Sequence, residues 1–257
     1  MMTPEELLTR LSSTRFAGRP HVVLERSGGA AVAVQLAPDE ARDAWLEARA
    51  LTDATGRWPV AITTWPMKEP SWEAAVADIL SPAAHAGDDR PSVEAILKSA
   101  ATLDLDAALA ELEGNDWEEW LAETPDGDLK WAASAMAYWF DPSPKQPTAM
   151  VFLPSPHPWA SVAYEPWYAE DAGTPAPVLV ALLERWNETY GAEPMAHWGT
   201  MLQLRVDRPP TSLDAARALA REQLLVAPCT ALLPGTHPER HAEALMQVTT
   251  WFLHERP

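Results

Sequence analysis

The sequence contains a single cysteine, Cys229, among its 257 residues. One cysteine excludes both an intramolecular disulfide and a cysteine-rich metal site. Its neighbours Val226, Ala227 and Leu232 are apolar, whereas a reactive thiol needs an electropositive setting. We therefore interpret Cys229 as a buried, unreactive thiol rather than as a nucleophile.

Long apolar runs are also absent. The longest uncharged run, from Gln146 to Tyr164, is interrupted by four prolines, whereas a membrane helix needs ~20 apolar residues in continuous helix. The first residues, Met1 to Glu6, have neither the basic stretch nor the apolar run of a signal peptide. We therefore expect a protein of the reducing cytoplasm that does not bind membranes.

Basic residues are scarce, with 19 Lys and Arg against 37 Asp and Glu and a formal net charge of −18. Binding to phosphate groups depends on Lys and Arg, so nucleic acids and anionic membranes are poor candidates for direct partners. The same charge permits a basic protein partner.

Recognisable catalytic motifs are missing as well, including a Gly-rich phosphate loop and a G-x-S-x-G nucleophile elbow. His237 and His241 have the spacing of a helical metal pair, but Pro238 stands where a zincin has Glu. Pro238 also predicts a helix start, with His237 as its capping residue. The segment Asp126-Gly127-Asp128 lacks the later ligands of a calcium loop and is better explained as a tight turn. We predict no metal, no cofactor and no catalytic residue.

Hydrophobic periodicity predicts an α/β (α+β) fold, in which a mixed sheet is flanked by helices. Ser27-Gly28-Gly29 separates two strand-like runs and predicts a hairpin, and Gly191 predicts the end of a long helix. The predicted strands are 21–24, 30–36, 58–65, 148–153, 202–206 and 248–253. The main predicted helices begin near residues 38, 92, 102, 175 and 211.

The chain is predicted to have two parts, and the boundary between them follows from a family resemblance of the C-terminal part. Residues 1–145 form an N-terminal α/β part that contains an inserted acidic helical segment, 69–128, and residues 146–257 form the second part. The alternative is that both parts belong to one compact unit.

The second part of the chain contains six short segments in succession, namely Tyr164-Glu165-Pro166-Trp167-Tyr168, Leu183-Glu184-Arg185-Trp186, Tyr190-Gly191-Ala192-Glu193, Leu204-Arg205-Val206, Arg208-Pro209-Pro210 and Trp251-Phe252-Leu253. This succession, over roughly residues 146–257, resembles the bacterial domain-of-unknown-function family 4253. A weaker echo of the family pattern occurs at Gly56-Arg57-Trp58-Pro59-Val60. Because the family has no established activity, the resemblance implies no catalytic residue for this chain.

Most of the excess negative charge lies in the acidic segment. Between Glu69 and Asp128 there are sixteen Asp or Glu against two basic residues, Arg90 and Lys98, which makes −14 of the total −18. One interpretation is that these carboxylates are the solvated faces of short amphipathic helices. The other interpretation is a docking surface for a basic protein. Acid–base catalysis by a pair of glutamates is disfavoured, because no sequence feature would give the two carboxylates different pKa values. The predicted contact residues are Asp104, Glu111, Glu113, Asp116, Glu118 and Glu119.

Tryptophan is unusually frequent, with 13 residues. Trp159, Trp167 and Tyr168 lie in a proline-rich loop, 154–177, away from any periodic apolar face. Tryptophans in such loops suit binding surfaces. We therefore expect Trp159 or Trp167 to be at least partly exposed, and we assign Trp159, Trp167 and Tyr168 to the partner-binding surface.

These observations favour a non-enzymatic protein that docks and neutralises a basic protein partner, specifically an immunity protein against a bacterial toxin. The alternative is an enzyme or a small-ligand binder, for example of carbohydrate, that uses the Trp-rich loop and nearby carboxylates. A third possibility is a structural subunit of a larger complex.

Overall fold

The computed structural model describes residues 1–25, 27–63, 72–79, 90–112, 128–136 and 146–256. A seven-stranded sheet in the order β1-β2-β4-β3-β5-β6-β7 forms its centre. The strands are β1 His21–Leu24, β2 Ala31–Leu36, β3 Trp58–Thr63, β4 Thr148–Leu153, β5 Glu193–His197, β6 Met201–Arg205 and β7 Thr250–His254.

The sheet is mixed, as the sequence predicted, because β3 and β5 are parallel while the other neighbouring strands are antiparallel. Strand β4, the first strand of the second part of the chain, lies between β2 and β3 of the first part. Both faces of β3 and β4 are buried, as the apolar character of these strands requires.

Helices cover the sheet, and among the described residues none is long and apolar enough to cross a membrane. The α-helices are α1 Pro4–Leu11, α2 Ala41–Arg49, α3 Thr52–Thr55, α4 Trp72–Ile79, α5 Val93–Ala100, α6 Leu105–Leu112, α7 Leu129–Met136, α8 Ser161–Tyr164, α9 Ala176–Tyr190, α10 Leu213–Val226, α11 Cys229–Leu232 and α12 Pro238–Leu245.

Several helices begin or end at residues that typically cap helices. Ser92 caps α5, where its hydroxyl accepts a hydrogen bond from the amide of Ala95, and Ser212 caps α10 in the same way. Gly191 ends α9 with a φ of 63°. A side chain there would also bring Cβ within 2.9 Å of Asp207 Cβ, so glycine is needed for space as well as for conformation.

One prediction of secondary structure needs correction, and one strand was not predicted. The loop 154–177 contains a 3₁₀ turn, Pro158–Ala160, and the short helix α8. Strand β5 was not predicted, because Glu193 and Pro194 are poor strand formers and its burial comes from its neighbours in the sheet. The predicted residues 64 and 65 of β3 lie outside the described residues.

A buried arginine connects three separate segments of the structure. Arg57 is only 2 % exposed, and its guanidinium donates to the carbonyls of Met2, Ala30 and Phe152 at 2.8–3.3 Å. Burial lowers the pKa of Arg57. The planar fork of arginine reaches all three carbonyls at once, which the single ammonium group of a lysine does not.

We predict that Arg57→Lys lowers the free energy of unfolding by at least about 3 kcal/mol, because buried carbonyls lose their donors at about 1–3 kcal/mol each. Urea denaturation measures the change. Arg10→Lys is the matched control at an exposed position of α1, and it should stay within about 0.5 kcal/mol of the wild type. Equal stability of the two variants would show that Arg57 is not a structural centre.

Candidate partner-binding surface

Helices α5 and α6 hold the described core of the acidic segment against α9, and α6 also contacts α10. Their apolar sides are buried through Val93, Ile96 and Ala100 on α5 and through Leu105 and Leu109 on α6. The opposite sides carry the charge and face solvent. The described residues of the acidic segment thus include the helices α4, α5 and α6, as predicted, and the carboxylates on α5 and α6 face solvent.

An ion pair fixes the start of this segment. Arg90 donates to both carboxylate oxygens of Glu170 at 2.9 Å and to the carbonyls of Val162 and Ala163 at 2.8 Å. Both charged side chains are less than a tenth exposed. The amide of Val93 adds a hydrogen bond to the hydroxyl of Ser27 at 2.9 Å.

A second ionic contact fixes α6. Arg185 on α9 donates to Asp106 and to Glu222, each at 2.7 Å, and so connects α6, α9 and α10. The indole N–H of Trp186 donates to the other oxygen of Glu222 at 2.7 Å. A groove of about 290 Å³ lies between the three helices, and Leu109 and Leu225 form part of its apolar lining.

These contacts leave the described surface of the segment strongly acidic. Arg90, one of the two basic residues of the segment, is neutralised in the interior, so Lys98 is the only exposed basic residue among the described residues of the segment. The exposed carboxylates are Glu73, Glu94, Asp104, Asp106, Glu111 and Asp128.

The structure locates two of the six predicted acidic contact residues. Glu111 is exposed on α6, and Asp104 is exposed just before it. Asp104 also has a structural role, since its carboxylate accepts a hydrogen bond from the amide of Ala107 at 3.1 Å. Glu113, Asp116, Glu118 and Glu119 lie outside the described residues.

The aromatic part of the predicted surface is only partly present. Trp159 is half-buried and stacks on His157 with a centroid distance of 4.6 Å, and Tyr168 is half-buried as well. Trp167 is 2 % exposed, and its indole N–H donates to the carbonyl of Thr200 at 3.2 Å. The assignment of Trp167 to a binding surface was therefore wrong, because the loop folds back against the β5–β6 turn and buries the ring.

The exposed tryptophan lies elsewhere. Among the described tryptophans, Trp131 on α7 alone is exposed, at 55 %. Its indole N–H donates to the carbonyl of Pro234 at 3.0 Å, and the exposed Leu232 and Leu233 precede that proline. Sequence reasoning missed Trp131 because it sits in an apolar run that reads as core.

The strands and helices from β4 to β7 hold the partners of both anchoring ion pairs, Glu170, Arg185 and Glu222. Residues 149–254 match the family model described as Domain of unknown function (DUF4253). This confirms the predicted resemblance for the C-terminal part. No curated protein and no solved structure gave a match. The acidic helices α5 and α6 thus precede the DUF4253 region in sequence and pack onto it in space.

The histidine pair of the DUF4253 region has structural roles. His237 caps α12, as predicted, with Nδ1 accepting a hydrogen bond from the amide of Glu239 at 3.1 Å. His241 is fully buried, and a ring nitrogen lies 2.9 Å from Oε1 of Gln223 on α10. Among the described residues no group of three or more His, Cys, Asp or Glu could hold a metal ion.

Cys229 begins the short helix α11 and is half-buried. Burial raises the pKa of its thiol, and the neighbouring carboxylate of Glu255 raises it further. The thiol is therefore protonated at neutral pH, as expected of an unreactive thiol, although Cys229 is half-buried rather than buried as predicted.

The burial of His241 predicts a specific loss of stability in acid. Burial lowers the pKa of His241 from 6.5 to about 4. Between these values the unfolded chain binds more protons than the folded protein, so the free energy of unfolding falls as the pH decreases. This contribution to the free energy of unfolding is on the order of 3 kcal/mol. It is complete above about pH 6.5 and is lost as the pH falls towards 4. The variant His241→Gln should lose less stability than the wild type between pH 7 and pH 4 in urea titrations, and identical losses would contradict the assignment.

The Arg90–Glu170 pair predicts that one partner is costly to remove alone. Arg90→Met leaves a buried carboxylate without its cation and should lower the free energy of unfolding by about 3–5 kcal/mol. The double variant Arg90→Met/Glu170→Met removes both charges and should regain part of that loss. Urea denaturation gives the energies, and hydrogen exchange of the α5 amides reports whether the segment detaches. Additive losses in the double variant would show that the two side chains do not interact.

Proposed function

We propose that the protein is a non-enzymatic binding protein that docks a basic protein partner through the acidic surface of α5, α6 and the residues that follow them. The observation that carries the proposal is the distribution of charge between the exposed and the buried side of the described part of the acidic segment. Its exposed side is acidic, whereas the charge of Arg90 is used in the interior to attach the segment to the DUF4253 region.

Electrostatic cost supports docking over simple solubility. Crowding −14 of the −18 net charge into 69–128 destabilises the compact state through self-repulsion, and a basic partner would relieve this cost on binding. The anchors at Arg90 and Arg185 hold α5 and α6 in place, so their carboxylates form a fixed surface. Fixed charge of one sign accelerates encounter with an oppositely charged partner, to about 10⁸–10⁹ M⁻¹s⁻¹ at low salt.

The specific function that we infer is neutralisation of a bacterial toxin. An immunity protein must bind before the toxin reaches its target, so rapid association is its main requirement. A strongly acidic protein whose sequence has no recognisable catalytic motif suits a basic toxin, such as an enzyme that acts on nucleic acid. Gene neighbourhood and co-expression test this part directly: a toxin gene should lie beside the gene of this protein, and the protein should restore growth of cells that produce that toxin. A neighbourhood without a toxin gene, or no rescue of growth, would contradict the toxin proposal.

The docking surface itself is tested by association kinetics. Glu94→Gln/Glu111→Gln removes two exposed carboxylates and should slow association with the partner by about 2–10-fold, while dissociation changes little. Extending the variant to Glu113, Asp116, Glu118 and Glu119 should slow association further. The matched control, Glu5→Gln/Asp43→Asn, removes the same charge from exposed positions on α1 and α2.

Stopped-flow measurements over a salt series decide between the interpretations. The wild-type rate should fall steeply as the ionic strength rises through about 0.15 M, where the Debye length is about 8 Å. If the surface variant and the control associate equally fast, the acidic segment serves only as a solvated surface and the docking proposal is wrong.

A further inference from the structure

Strand β1 lies at one edge of the sheet, and its hydrogen bonds to β2 begin at Pro20. The amide of Gln35 donates to the carbonyl of Pro20 at 2.9 Å. Proline has no N–H to return, and the carbonyl of Gln35 accepts instead from the guanidinium of Arg19 at 3.3 Å. Pro20 and Gln35 are therefore a hydrogen-bonded pair of the antiparallel ladder, which fixes the direction of every backbone group along β1.

The outward groups of β1 belong to His21 and Val23. Bonded and unbonded pairs alternate along an antiparallel ladder, so Pro20, Val22 and Leu24 bond to β2. The N–H and C=O groups of His21 and Val23 point away from the sheet, and no residue in the described part of the chain bonds to them. Helix α4 contacts β1, yet both side chains are exposed, Val23 at 41 %.

The other edge of the sheet, β7, is blocked by a side chain. The amide of Val206 donates to the carbonyl of Thr249 at 2.8 Å, so by the same alternation the backbone groups of His254 point outward. The hydroxyl of Thr230 accepts from the amide of His254 at 2.9 Å and donates to its carbonyl at 3.4 Å. Open edges pair readily with another chain, and proteins usually cover them. Strand β1 is thus the edge that can accept an added strand.

The charge around β1 favours a second copy of this chain as the source of that strand. Residues 10–26 contain four arginines and one acidic residue, Glu25, in a chain of net charge −18. Arg15 and Arg19 each form an ion pair with a glutamate from outside this range, so the net charge of the edge is close to zero. Two copies repel each other at their acidic surfaces but can meet here.

The exposed side chains of β1 are complementary to themselves. Exposure alternates from His21 through Val23 to Glu25, one residue beyond the strand. Nδ1 of His21 lies 3.4 Å from the carbonyl of Arg19, which leaves Nε2 for another partner. Within the described residues the carboxylate of Glu25 has no hydrogen-bond or ion-pair partner. A basic, an apolar and an acidic side chain therefore follow one another along the open face.

We propose that β1 pairs antiparallel with β1 of a second copy, across a two-fold axis at Val23. Val23 then lies opposite its counterpart, and His21 lies opposite Glu25 of the other copy on both sides of the axis, which are favourable cross-strand pairs. Shifting one strand by two residues in either direction would set Val23 opposite His21 or Glu25 instead. The dimer continues the sheet from one copy into the other and does not depend on the proposed partner-binding function.

Sedimentation equilibrium of the full chain tests the dimer. Because β1 is short, the interface is smaller than the about 1,200 Å² of stable complexes, and we expect a Kd of about 10–100 µM. The weight-average mass should rise from that of one chain at about 1 µM towards that of two chains at about 500 µM. Over this range hydrogen exchange at the amide of Val23 should slow about threefold or more, whereas the amide of Val22 already bonds to β2 and should change less.

Two substitutions of Val23 connect the dimer to this edge. Val23→Lys sets two positive charges face to face at the axis, and Val23→Pro removes the outward N–H at a position where an edge strand tolerates proline. Each should weaken dimerisation at least about tenfold while the circular dichroism spectrum is retained. The matched control Leu46→Lys changes another exposed apolar residue, on α2, and should dimerise as the wild type does.

Exchange of charge tests the register. His21→Glu sets carboxylates opposite each other and should weaken the dimer about three- to tenfold. The double variant His21→Glu/Glu25→Lys restores opposite charges and should regain that loss. Within one copy the two positions are about 13 Å apart along the strand, so a regain reports contact between copies.

Several outcomes would overturn the proposal. A mass that stays at one chain up to about 500 µM would show that a second copy does not use this edge, and would leave it to a strand of another protein. A dimer that survives both Val23 variants, or that leaves the Val23 amide unprotected, would place the contact elsewhere. No regain in the double variant would contradict the register at Val23.

Discussion

The structure depends on the burial of one guanidinium group. A charge in an apolar interior is costly unless its hydrogen bonds are satisfied, and Arg57 makes four of them to three carbonyls that no single element of secondary structure contains. Gly56, at a φ of 67°, lets the first residues approach closely enough for Met2 to supply one acceptor. Phe152 supplies another from β4, beside Pro59 of β3. The register of the central strands and the position of the N-terminal residues are therefore fixed together.

The same use of arginine recurs where the acidic segment joins the DUF4253 region. Arg90 and Arg185 each connect a helix of the segment to residues far away in sequence, through Glu170 and through Asp106 with Glu222. In each of these ion pairs an arginine is neutralised by a carboxylate, while other carboxylates of the segment stay exposed to solvent. The chain has nearly twice as many acidic as basic residues, so using its arginines for attachment makes the remaining surface more negative. The same placement of arginines in the interior and carboxylates at the surface therefore both attaches the segment and makes its surface acidic.

The sequence predicted features that depend on local chemistry and missed those that depend on distant neighbours. Ser92 and Gly191 are local signals, and the structure confirms the helix start and the helix end that they predicted. The burial of Trp167 depends on a carbonyl 33 residues away, and that of β5 depends on β3 and β6. Nothing within five residues of Trp167 reveals that contact. For the same reason the Arg90–Glu170 anchor could not be predicted from the sequence, whereas the charge of the acidic segment could.

A protein with a net charge of −18 can still present a site for an anionic group, because exposed charges act over a limited distance. At physiological ionic strength the field of the acidic helices is screened beyond about 8 Å, whereas the groups that line a cavity contact a small ligand directly. Net charge thus governs the approach of a large partner, which meets many carboxylates at once, and has little influence on a small molecule in a cavity. The composition of the chain therefore constrains its macromolecular partners more strongly than its small ligands.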